Sequence, residues 1–261
     1  MSGTRTPASA PSHGPASLGF VVVAVAAIVG AWWCLSLAIG GRLVPDPPSV
    51  FRRFVVLLPG ILGASVLVSL ARVGAALAAA LLTAVPLGVL LGRNRLLDRV
   101  LSPIAYLSYP VPKIALLPVI MLLFGLGEWA KGIVIFLVLF FQTLVTVRDA
   151  ARAVPEPYVL SIRSLGATRP QVWRYVLWPA LLPSLLSSLR IGTGTALAVL
   201  FFAETFGTTV GLGWFVMESW MRMSYVDLYA GILCLALLGL ALFLAIDLIQ
   251  RWSCRWQAAP P

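Results

Sequence analysis

Long uninterrupted runs of apolar residues constrain the fold of this chain more than any motif does. A helix needs about 20 apolar residues to cross a bilayer core of about 30 Å, and six stretches are apolar over roughly that length. The predicted spans are residues 18–40, 64–92, 100–125, 130–147, 181–206 and 229–250. The second and third are long enough to tilt or to extend past the hydrocarbon. We therefore predict an all-α membrane protein with six transmembrane helices.

The composition supports membrane insertion and argues against a nucleic-acid partner. Apolar residues make up 60% of the 261 residues and charged residues only 11%, whereas soluble domains are about 25% charged. The formal charge of +10 comes from basic residues scattered between apolar blocks, so we expect no nucleic acid to bind. The three cysteines have no close spacing, and neither a disulfide framework nor a metal site follows from them.

The predicted spans leave room for one membrane domain and two short tails. Residues 1–17 are rich in Pro, Ser, Ala and Gly, and we predict a disordered cytoplasmic tail there. The run from Leu18 to Ile39 has 22 residues, longer than the apolar region of about 7 to 15 residues in a signal peptide, so it is predicted to remain as a spanning helix. The membrane domain then covers residues 18–250, and residues 251–261 form a second cytoplasmic tail.

The distribution of Lys and Arg predicts the orientation of the spans, because short loops rich in these residues stay in the cytoplasm. With both termini inside, eleven basic residues fall on the cytoplasmic side: Arg5, Arg93, Arg95, Arg99, Arg148, Arg152, Arg163, Arg169, Arg174, Arg251 and Arg255. Five fall in outer loops: Arg42, Arg52, Arg53, Lys131 and Arg222. The excess of eleven over five favours both termini in the cytoplasm.

The third span is unusual because four prolines fall within sixteen residues of it: Pro103, Pro110, Pro112 and Pro118. Each internal proline removes a backbone hydrogen bond and clashes with the preceding turn, so this span is not expected to be one regular helix. Broken membrane helices often line transport pathways, and Lys113 is an ionisable group at membrane depth. A pathway is one interpretation, and a kink absorbed by packing is the other.

Other polar residues in the spans have both structural and functional interpretations. Arg72 and Arg190 are predicted to pair with carbonyl groups or with Glu204, or else to attract an anion. Glu204 lies at the outer end of the fifth span, where we expect its carboxylate to snorkel to the interface or to cap a turn. Small residues at 88, 92 and 192–195 favour close helix packing, although threonines there can also expose hydroxyls to a pore. The candidate pathway residues are Lys113, Arg190, Thr193, Thr195 and Glu204.

A polar stretch from Arg148 to Pro179, here named the arginine-rich segment, separates the fourth and fifth spans. It predicts a short helix over residues 158–165 that Gly166 ends, and a second short helix capped by Thr168 that Pro179 ends before the fifth span. A plain linker does not need this helix–glycine–helix pattern, so we interpret the segment as a cytoplasmic docking element. The alternative is an amphipathic helix held by its arginines on anionic lipid.

The arginine-rich segment resembles the EAA loop of the permease subunits of binding-protein-dependent ABC importers. The consensus of that loop is Glu-Ala-Ala, three residues, Gly, nine residues and Ile-x-Leu-Pro. Gly166 takes the glycine position, and VLWP at 176–179 takes the ending. Leu160, Ser161 and Ile162 take the Glu-Ala-Ala positions, so the acidic residue is absent and apolar contact with an ATPase is favoured. The residues implied to contact the ATPase are Leu160, Ser161, Ile162, Arg163, Leu165, Gly166, Ala167 and Pro179.

The likeness covers about residues 60–250 and is strongest to the nitrate, sulfonate, taurine and bicarbonate branch. Three segments carry it: SLARVGAALAAALLTAVPLGVLLG from Ser69, PVPKIALLPVIMLLFGLGEWAK from Pro110 and LRIGTGTALAVLFFAETFGTTVGLGWF from Leu189. The resemblance implies the type I (MetI-like) importer permease fold in the bacterial inner membrane, with coupling helices between the fourth and fifth spans. Relatives that carry pyrimidine-type vitamin precursors or riboflavin share this framework and are the alternative.

The resemblance also implies a set of partners. Two copies of the chain form the membrane pathway, and each arginine-rich segment sits in a groove of a cytoplasmic ATPase subunit. An external solute-binding protein delivers a small solute, such as a sulfonate, taurine or nitrate. No cofactor is implied on this chain, because ATP and Mg²⁺ belong to the ATPase.

Two functions of other classes are alternatives. An intramembrane enzyme needs a nucleophile and a base at one depth, but the sequence has no phosphate loop or HExxH motif, and its single histidine, His13, lies in the predicted tail. An ion-coupled secondary transporter has a use for a broken span but none for a docking segment, and no convincing internal repeat is present. We therefore expect a non-catalytic transport subunit.

Overall fold

The computed structural model describes residues 18–108 and 110–257. Within these ranges the chain is helical with short connections and has no β-strand, which confirms the all-α prediction. The predicted disordered tail of residues 1–17 and the last four residues of the second predicted tail lie outside the described residues.

Eleven α-helices follow one another along the described part of the chain. They are α1 (Leu18–Ile39), α2 (Pro47–Leu57), α3 (Gly63–Arg93), α4 (Arg95–Ser108), α5 (Leu117–Phe124), α6 (Glu128–Ala153), α7 (Glu156–Ser164), α8 (Arg169–Val172), α9 (Trp178–Glu204), α10 (Leu212–Met221) and α11 (Tyr225–Ser253). Wider π-type turns join α2 to α3 (Leu58–Leu62) and α8 to α9 (Trp173–Leu177). Tight 3-10 turns precede α5 (Lys113–Leu116) and follow α11 (Arg255–Gln257).

Five helical stretches are long and apolar enough to cross a membrane: Gly19–Ile39, Pro47–Arg93, Glu128–Ala153, Arg169–Glu204 and Tyr225–Ser253. The sixth crossing needs two helical pieces, Arg95–Ser108 and Lys113–Phe124, which meet at 82°. The described chain therefore has five spans, or six when this bent pair counts as one. The prediction that the third span is not a regular helix is confirmed.

The helix bundle has two ends that carry different elements. The near end holds α7, α8 and the last turns of α3, α6 and α11, whereas the far end holds α10 and the first turns of those three helices. At the near end, Arg93 of α3 forms an ion pair with Glu156 of α7 at 2.8 Å. At the far end, the backbone N–H of Leu212 in α10 donates to the Ser69 hydroxyl of α3 at 2.9 Å.

Helices α3 and α6 form the centre of the bundle, and their backbones come into close contact at the near end. A Cβ added at Gly92 would lie 2.5 Å from the carbonyl oxygen of Arg148, and one added at Gly88 would lie 2.9 Å from the Cβ of Val147. Only glycine leaves room for backbone at these distances. The interpretation of these two glycines as packing residues is confirmed.

Helix α2 was not predicted, because residues 41–63 separate the first two predicted spans as an outer connection. Asp46 caps this helix by accepting a hydrogen bond from the backbone N–H of Ser49 at 3.0 Å, and Pro47 fills the first turn. The same backbone hydrogen bond lowers the pKa of the Asp46 carboxyl. An aspartate followed by proline is a helix-start signal, so α2 was visible in the sequence. Arg53 on α2 forms an ion pair with Asp227 of α11.

The second missed helix is α10, which lies in the predicted connection between the fifth and sixth spans. Leu212 and Phe215 of α10 are buried against α3, α9 and α11. The helix lies so close to α9 that a Cβ at Gly213 would be 2.5 Å from the carbonyl oxygen of Phe201. This packing depends on partners far away in sequence, and a short apolar segment does not reveal them.

Helix α1 lies at the edge of the bundle. Only 6% of the residues in its apolar stretch are buried inside the protein. The Trp32 indole of α1 donates a hydrogen bond to the carbonyl oxygen of Pro45 at 3.1 Å. The same ring stacks on Tyr229 of α11, with 6.0 Å between the ring centroids. Most of α1 is therefore free to face lipid.

Candidate functional site

The arginine-rich segment folds largely as its sequence predicts. Helix α7 ends at Ser164, and Gly166 follows with φ of +84°, a left-handed conformation that glycine adopts without steric cost. Thr168 then caps α8, and its backbone N–H donates to the side-chain oxygen of Gln171 at 2.7 Å. These two residues form a capping box. The predicted helix–glycine–helix pattern is confirmed.

The prediction for Pro179 is wrong, because this residue does not end a helix. The helix that begins at α8 continues through the wider turn at 173–177 into α9, as one stretch from Arg169 to Glu204. Pro179 follows directly after the wider turn, in which the backbone N–H of Trp178 donates to the carbonyl oxygen of Trp173, and such local widening lets a helix continue past a proline. The first six residues of the segment, 148–153, likewise belong to α6. The segment is therefore continuous with two transmembrane helices.

The residues that the EAA resemblance selects fall on two sides of the segment. Those exposed at the surface are Leu160, Ser161, Arg163, Leu165 and Gly166, whereas Ile162, Ala167 and Pro179 are half-buried. Leu165 is 86% exposed and Leu160 56%, so both apolar side chains lie on the surface on either side of Arg163. The half-buried Ile162 and Ala167 pack on the near-end core, together with the buried Val159 and Val172.

Ion pairs hold the near end together beneath this surface. Arg93 donates to the carbonyl oxygen of Val154 at 3.1 Å in addition to its pair with Glu156. Arg148, predicted as a loop residue, is buried in α6 and forms an ion pair with Asp98 of α4. Asp98 also pairs with Arg152 at 3.3 Å. The start of the broken third span is thus tied to the last turns of α6, just before α7.

The break in the third span opens a cavity of about 400 Å³ between the break, α6 and α9. Lys113 lines it, with its ammonium donating to the carbonyl oxygen of Ser108 and lying 5.2 Å from the centre of the Phe141 ring. Gln142 of α6 and the exposed Thr195 of α9 line the same cavity. The structure therefore brings together Lys113 and Thr195, two of the five candidate pathway residues. Sequence reasoning missed Gln142, although an amide inside the apolar fourth span was a usable signal.

Two further pathway candidates, Arg190 and Thr193, have structural partners in α9 and α11. Arg190 pairs with Asp247 at 3.4 Å, and its guanidinium lies 5.4 Å from the centre of the Phe243 ring. Thr193 is buried, and its hydroxyl donates to the carbonyl oxygen of Arg190 at 2.8 Å. Neither lines the cavity at Lys113. For Arg190 the structural interpretation is favoured, with Asp247 as its partner instead of Glu204.

Comparison with protein families identifies the chain. A family model described as "Binding-protein-dependent transport system inner membrane component" matches residues 84–257. The chain belongs to this family. It is therefore a multi-pass permease subunit of the inner membrane in an ATP-driven ABC importer, whose ATPase is a separate subunit and whose solute comes from a binding protein. The permease itself is non-catalytic.

Three curated relatives agree with this assignment. The permease is 30% identical over 240 residues to the taurine transport system permease protein TauC of Escherichia coli (strain K12), a match that covers 89% of this chain and 87% of the relative. It is 25% identical to the bicarbonate transport system permease protein CmpB of Synechococcus elongatus, over 91% of this chain and 87% of the relative. It is 28% identical to the formylaminopyrimidine transport permease protein ThiX of Halalkalibacterium halodurans, over 86% and 91%. The predicted branch of the family is confirmed.

A solved structure supports the fold. The permease superimposes on a chain of the MetNI methionine ABC transporter in an inward-facing conformation, with a TM-score of 0.63 and 22% identity. The superposition covers 74% of the permease and 96% of that chain. The predicted MetI-like fold is confirmed.

The last pathway candidate, Glu204, is the centre of a buried polar cluster at the far end of the permease. Its carboxylate is fully buried and accepts hydrogen bonds from Arg72 at 2.7 Å, from the Ser69 hydroxyl at 2.8 Å and from the backbone N–H of Gly213 at 2.8 Å. Of the two expectations for Glu204, snorkelling to the interface is wrong, because these three donors replace water, whereas capping of a turn is confirmed, because Gly213 lies in the first turn of α10. Its predicted pairing with Arg72 is confirmed.

The cluster extends through Arg72 to α6. The guanidinium of Arg72 binds both carboxylate oxygens of Glu128, one of them at 2.6 Å. Lys131, counted above as an outer-loop residue, is instead buried in α6 at 1% exposure. Its ammonium donates to the carbonyl oxygens of Leu126 at 3.2 Å and Gly207 at 3.0 Å. The cluster therefore joins α3, α6 and the loop between α9 and α10.

Proposed function

We propose that the permease imports a small oxyanion, such as a sulfonate, taurine or nitrate. The likeness to the E. coli taurine permease over 89% of the chain carries this proposal, and the bicarbonate relative adds a second solute with an oxyanion group. The basic side chain of Lys113 in the cavity of the third span is compatible with such a solute. The binding protein is expected to set most of the selectivity, because it presents the solute to the permease.

We further propose that two copies of the permease form the pathway. The cavity at Lys113 opens to the surface of a single chain, where Ile191 is 69% exposed. Broken helices at membrane depth are tolerated where they are covered by protein or line water. A second copy facing this surface would cover it and close the path.

The near end is proposed to face the cytoplasm, with both termini on that side. Ten basic residues of the described chain lie there: Arg93, Arg95, Arg99, Arg148, Arg152, Arg163, Arg169, Arg174, Arg251 and Arg255. The outer loops of the predicted topology hold only five basic residues, and the larger number at the near end supports this orientation, because short loops rich in Lys and Arg stay inside. Labelling of Leu165→Cys with a membrane-impermeant thiol reagent tests it, in a permease whose three native cysteines are replaced by alanine and in cells that lack the partner ATPase. The introduced cysteine should not be labelled until the cells are permeabilised. Labelling in intact cells would show that the near end faces the outside.

The exposed part of the arginine-rich segment is proposed to dock on the ATPase. Leu160 and Leu165 would fill an apolar groove, and Arg163 and Arg169 would meet carboxylates at its rim. Because α8 is continuous with α9, closure of the ATPase pair would displace α9 directly, and α7 would follow through its packing on the near-end core. A ligand drives a conformational change only if it interacts with different free energy with the two conformations. Here ATP would supply that difference, because it would bind more strongly to the closed ATPase pair.

Uptake into proteoliposomes tests the proposal. The permease is reconstituted with its ATPase and binding protein, and uptake of labelled taurine, nitrate and methanesulfonate is measured with ATP. A matched complex carries an ATPase that binds but does not hydrolyse ATP. We expect uptake of at least one anion only with the active ATPase. Uptake that continues with the inactive ATPase and follows an ion gradient would identify a secondary transporter instead.

A pyrimidine-type vitamin precursor is the second candidate solute. The relative from Halalkalibacterium halodurans that carries formylaminopyrimidine matches 86% of the chain at 28% identity, close to the identity with the taurine permease. Binding of each solute to the purified binding protein separates the two candidates. Micromolar affinity for formylaminopyrimidine, with no affinity for the anions, would favour the second.

A further inference from the structure

The cavity at the break of the third span has an unusual lining for a site in a membrane. Its polar side chains are Lys113, Gln142 and Thr195, and the remaining lining residues are apolar. Among the residues that the structure describes, no carboxylate lines it. Its volume of about 400 Å³ lies within the range of about 300 to 1,000 Å³ that is usual for small-molecule sites.

The cavity lies near the middle of the membrane-spanning helices. Gln142 is 14 residues from the start of α6 at Glu128 and 11 from its end at Ala153. At about 1.5 Å per residue, its Cα is roughly 16 to 21 Å from the two ends of the helix. An ammonium facing lipid at this depth is costly, and a broken helix there needs protein or water beside it. The cavity is therefore expected to face a second protein surface or water, and its depth does not suit a lipid headgroup.

The polar groups in the cavity are mainly hydrogen-bond donors. The Lys113 ammonium has three N–H bonds and is positioned by the Ser108 carbonyl oxygen and the Phe141 ring. The amide of Gln142 donates one N–H to the carbonyl oxygen of Ser188 at 3.2 Å, which positions its second N–H. The hydroxyl of Thr195 can also donate. A positive charge with two neutral donors suits an oxyanion.

We propose that this cavity is an anion-binding site on the translocation path. Lys113 supplies the charge, and Gln142 and Thr195 supply hydrogen bonds to a sulfonate or similar small oxyanion that passes through the membrane. The proposal rests on the proposed function, since it takes the solute to be an anion. The exposed face of the cavity would meet the same cavity of the second permease, so that two Lys113 residues serve one path.

Charge-selective labelling of a cysteine tests the site without knowledge of the natural solute. The three native cysteines, Cys34, Cys234 and Cys254, are first replaced by alanine, and Thr195→Cys is introduced in the reconstituted importer complex. Rates of modification are measured with a sulfonate-bearing and a trimethylammonium-bearing methanethiosulfonate reagent, with and without ATP. Each rate is divided by the rate for a free thiol. Ile28→Cys is the control, because Ile28 lies midway along the peripheral α1 and is 68% exposed.

We expect Thr195→Cys to react in at least one nucleotide state, with a clear preference for the anionic reagent. Lys113→Gln should reduce this preference about tenfold, because a nearby charge acts with opposite sign on the two reagents, and Lys113→Arg should retain it. The control Ile28→Cys should react with neither reagent. Lack of reaction at Thr195→Cys in both states, or a preference that is absent or unchanged in Lys113→Gln, would overturn the proposal.

Uptake measurements separate this proposal from the proposed function. If the complex imports taurine and Lys113→Gln imports it with an unchanged KM and rate, the site is refuted while the importer function stands. If no anion is imported but Thr195→Cys still prefers the anionic reagent in a manner that depends on Lys113, the choice of solute is refuted while the site stands. The thermal unfolding midpoint of each variant shows whether the fold is retained.

Discussion

Glu204→Gln keeps the size of a fully buried side chain at the far end and removes its charge. One carboxylate oxygen accepts from Arg72 at 2.7 Å, and the other accepts from the backbone N–H of Gly213 at 2.8 Å. Glutamine has an NH2 group in place of one oxygen, so either orientation places N–H donors against another N–H donor. Arg72, which is 8% exposed, would also lose its buried counter-ion.

The expected loss of stability is large because the pair is buried. Removing one partner of a buried ion pair costs about 3 to 5 kcal/mol. For a chain of 150 to 250 residues each kcal/mol shifts the unfolding midpoint by about 2 to 4 °C, so we expect a fall of roughly 6 to 20 °C. Intrinsic tryptophan fluorescence of the detergent-solubilised permease measures this midpoint.

Glu128→Gln is the matched control for this prediction. Glu128 makes two hydrogen bonds to the same arginine, but its side chain is 62% exposed. Exposed ion pairs contribute only about 0 to 1 kcal/mol because water and salt screen them. The control should therefore change the midpoint by at most about 4 °C. An unchanged midpoint in Glu204→Gln, or an equal fall in Glu128→Gln, would refute the reasoning from burial.

Three further substitutions test other contacts. Gly92→Ala should sharply lower the yield of folded permease, because its Cβ would lie 2.5 Å from the backbone oxygen of Arg148; Gly74→Ala on the same helix meets nothing within 4 Å and should be neutral in the same purification. Gly166→Ala should destabilise the turn between α7 and α8 by about 1 to 2 kcal/mol and reduce ATP-driven uptake severalfold, and Gly166→Asn should be less affected. Equal uptake by the wild type and both variants would contradict a role for the φ of +84° at Gly166. Asp98→Asn should reduce uptake without loss of ATPase binding, because it weakens the tie between the broken span and α6; normal uptake would show that the tie is dispensable.

The parts of the fold that were predictable depend on local sequence. Each membrane span needs only enough apolar length, and the third span is broken because its own prolines remove hydrogen bonds. The turn at Gly166 and the capping box of Thr168 and Gln171 are also local, since the residues involved are at most three positions apart. Helix α2 belongs to the same class, because Asp46 and Pro47 mark its start.

The parts that were not predictable depend on partners distant in the chain. Lys131 is buried because the carbonyl oxygen of Gly207, 76 residues away, accepts a hydrogen bond from its ammonium. Gln142 joins the cavity because the break of the third span and Thr195 fold against it. Pro179 does not end its helix, because the wider turn at 173–177 precedes it and the neighbouring Leu177 and Leu181 are buried in the near-end core.

The sequence by itself determined that this is a helical membrane protein, roughly where its spans lie and which segment forms a helix–glycine–helix turn, because apolar length, proline and glycine act through the adjacent backbone. Tertiary structure alone decided which polar residues are buried in ion pairs and which line a cavity. That choice depends on the donors and acceptors that other helices bring within about 3 Å of a side chain, and a linear pattern does not specify them.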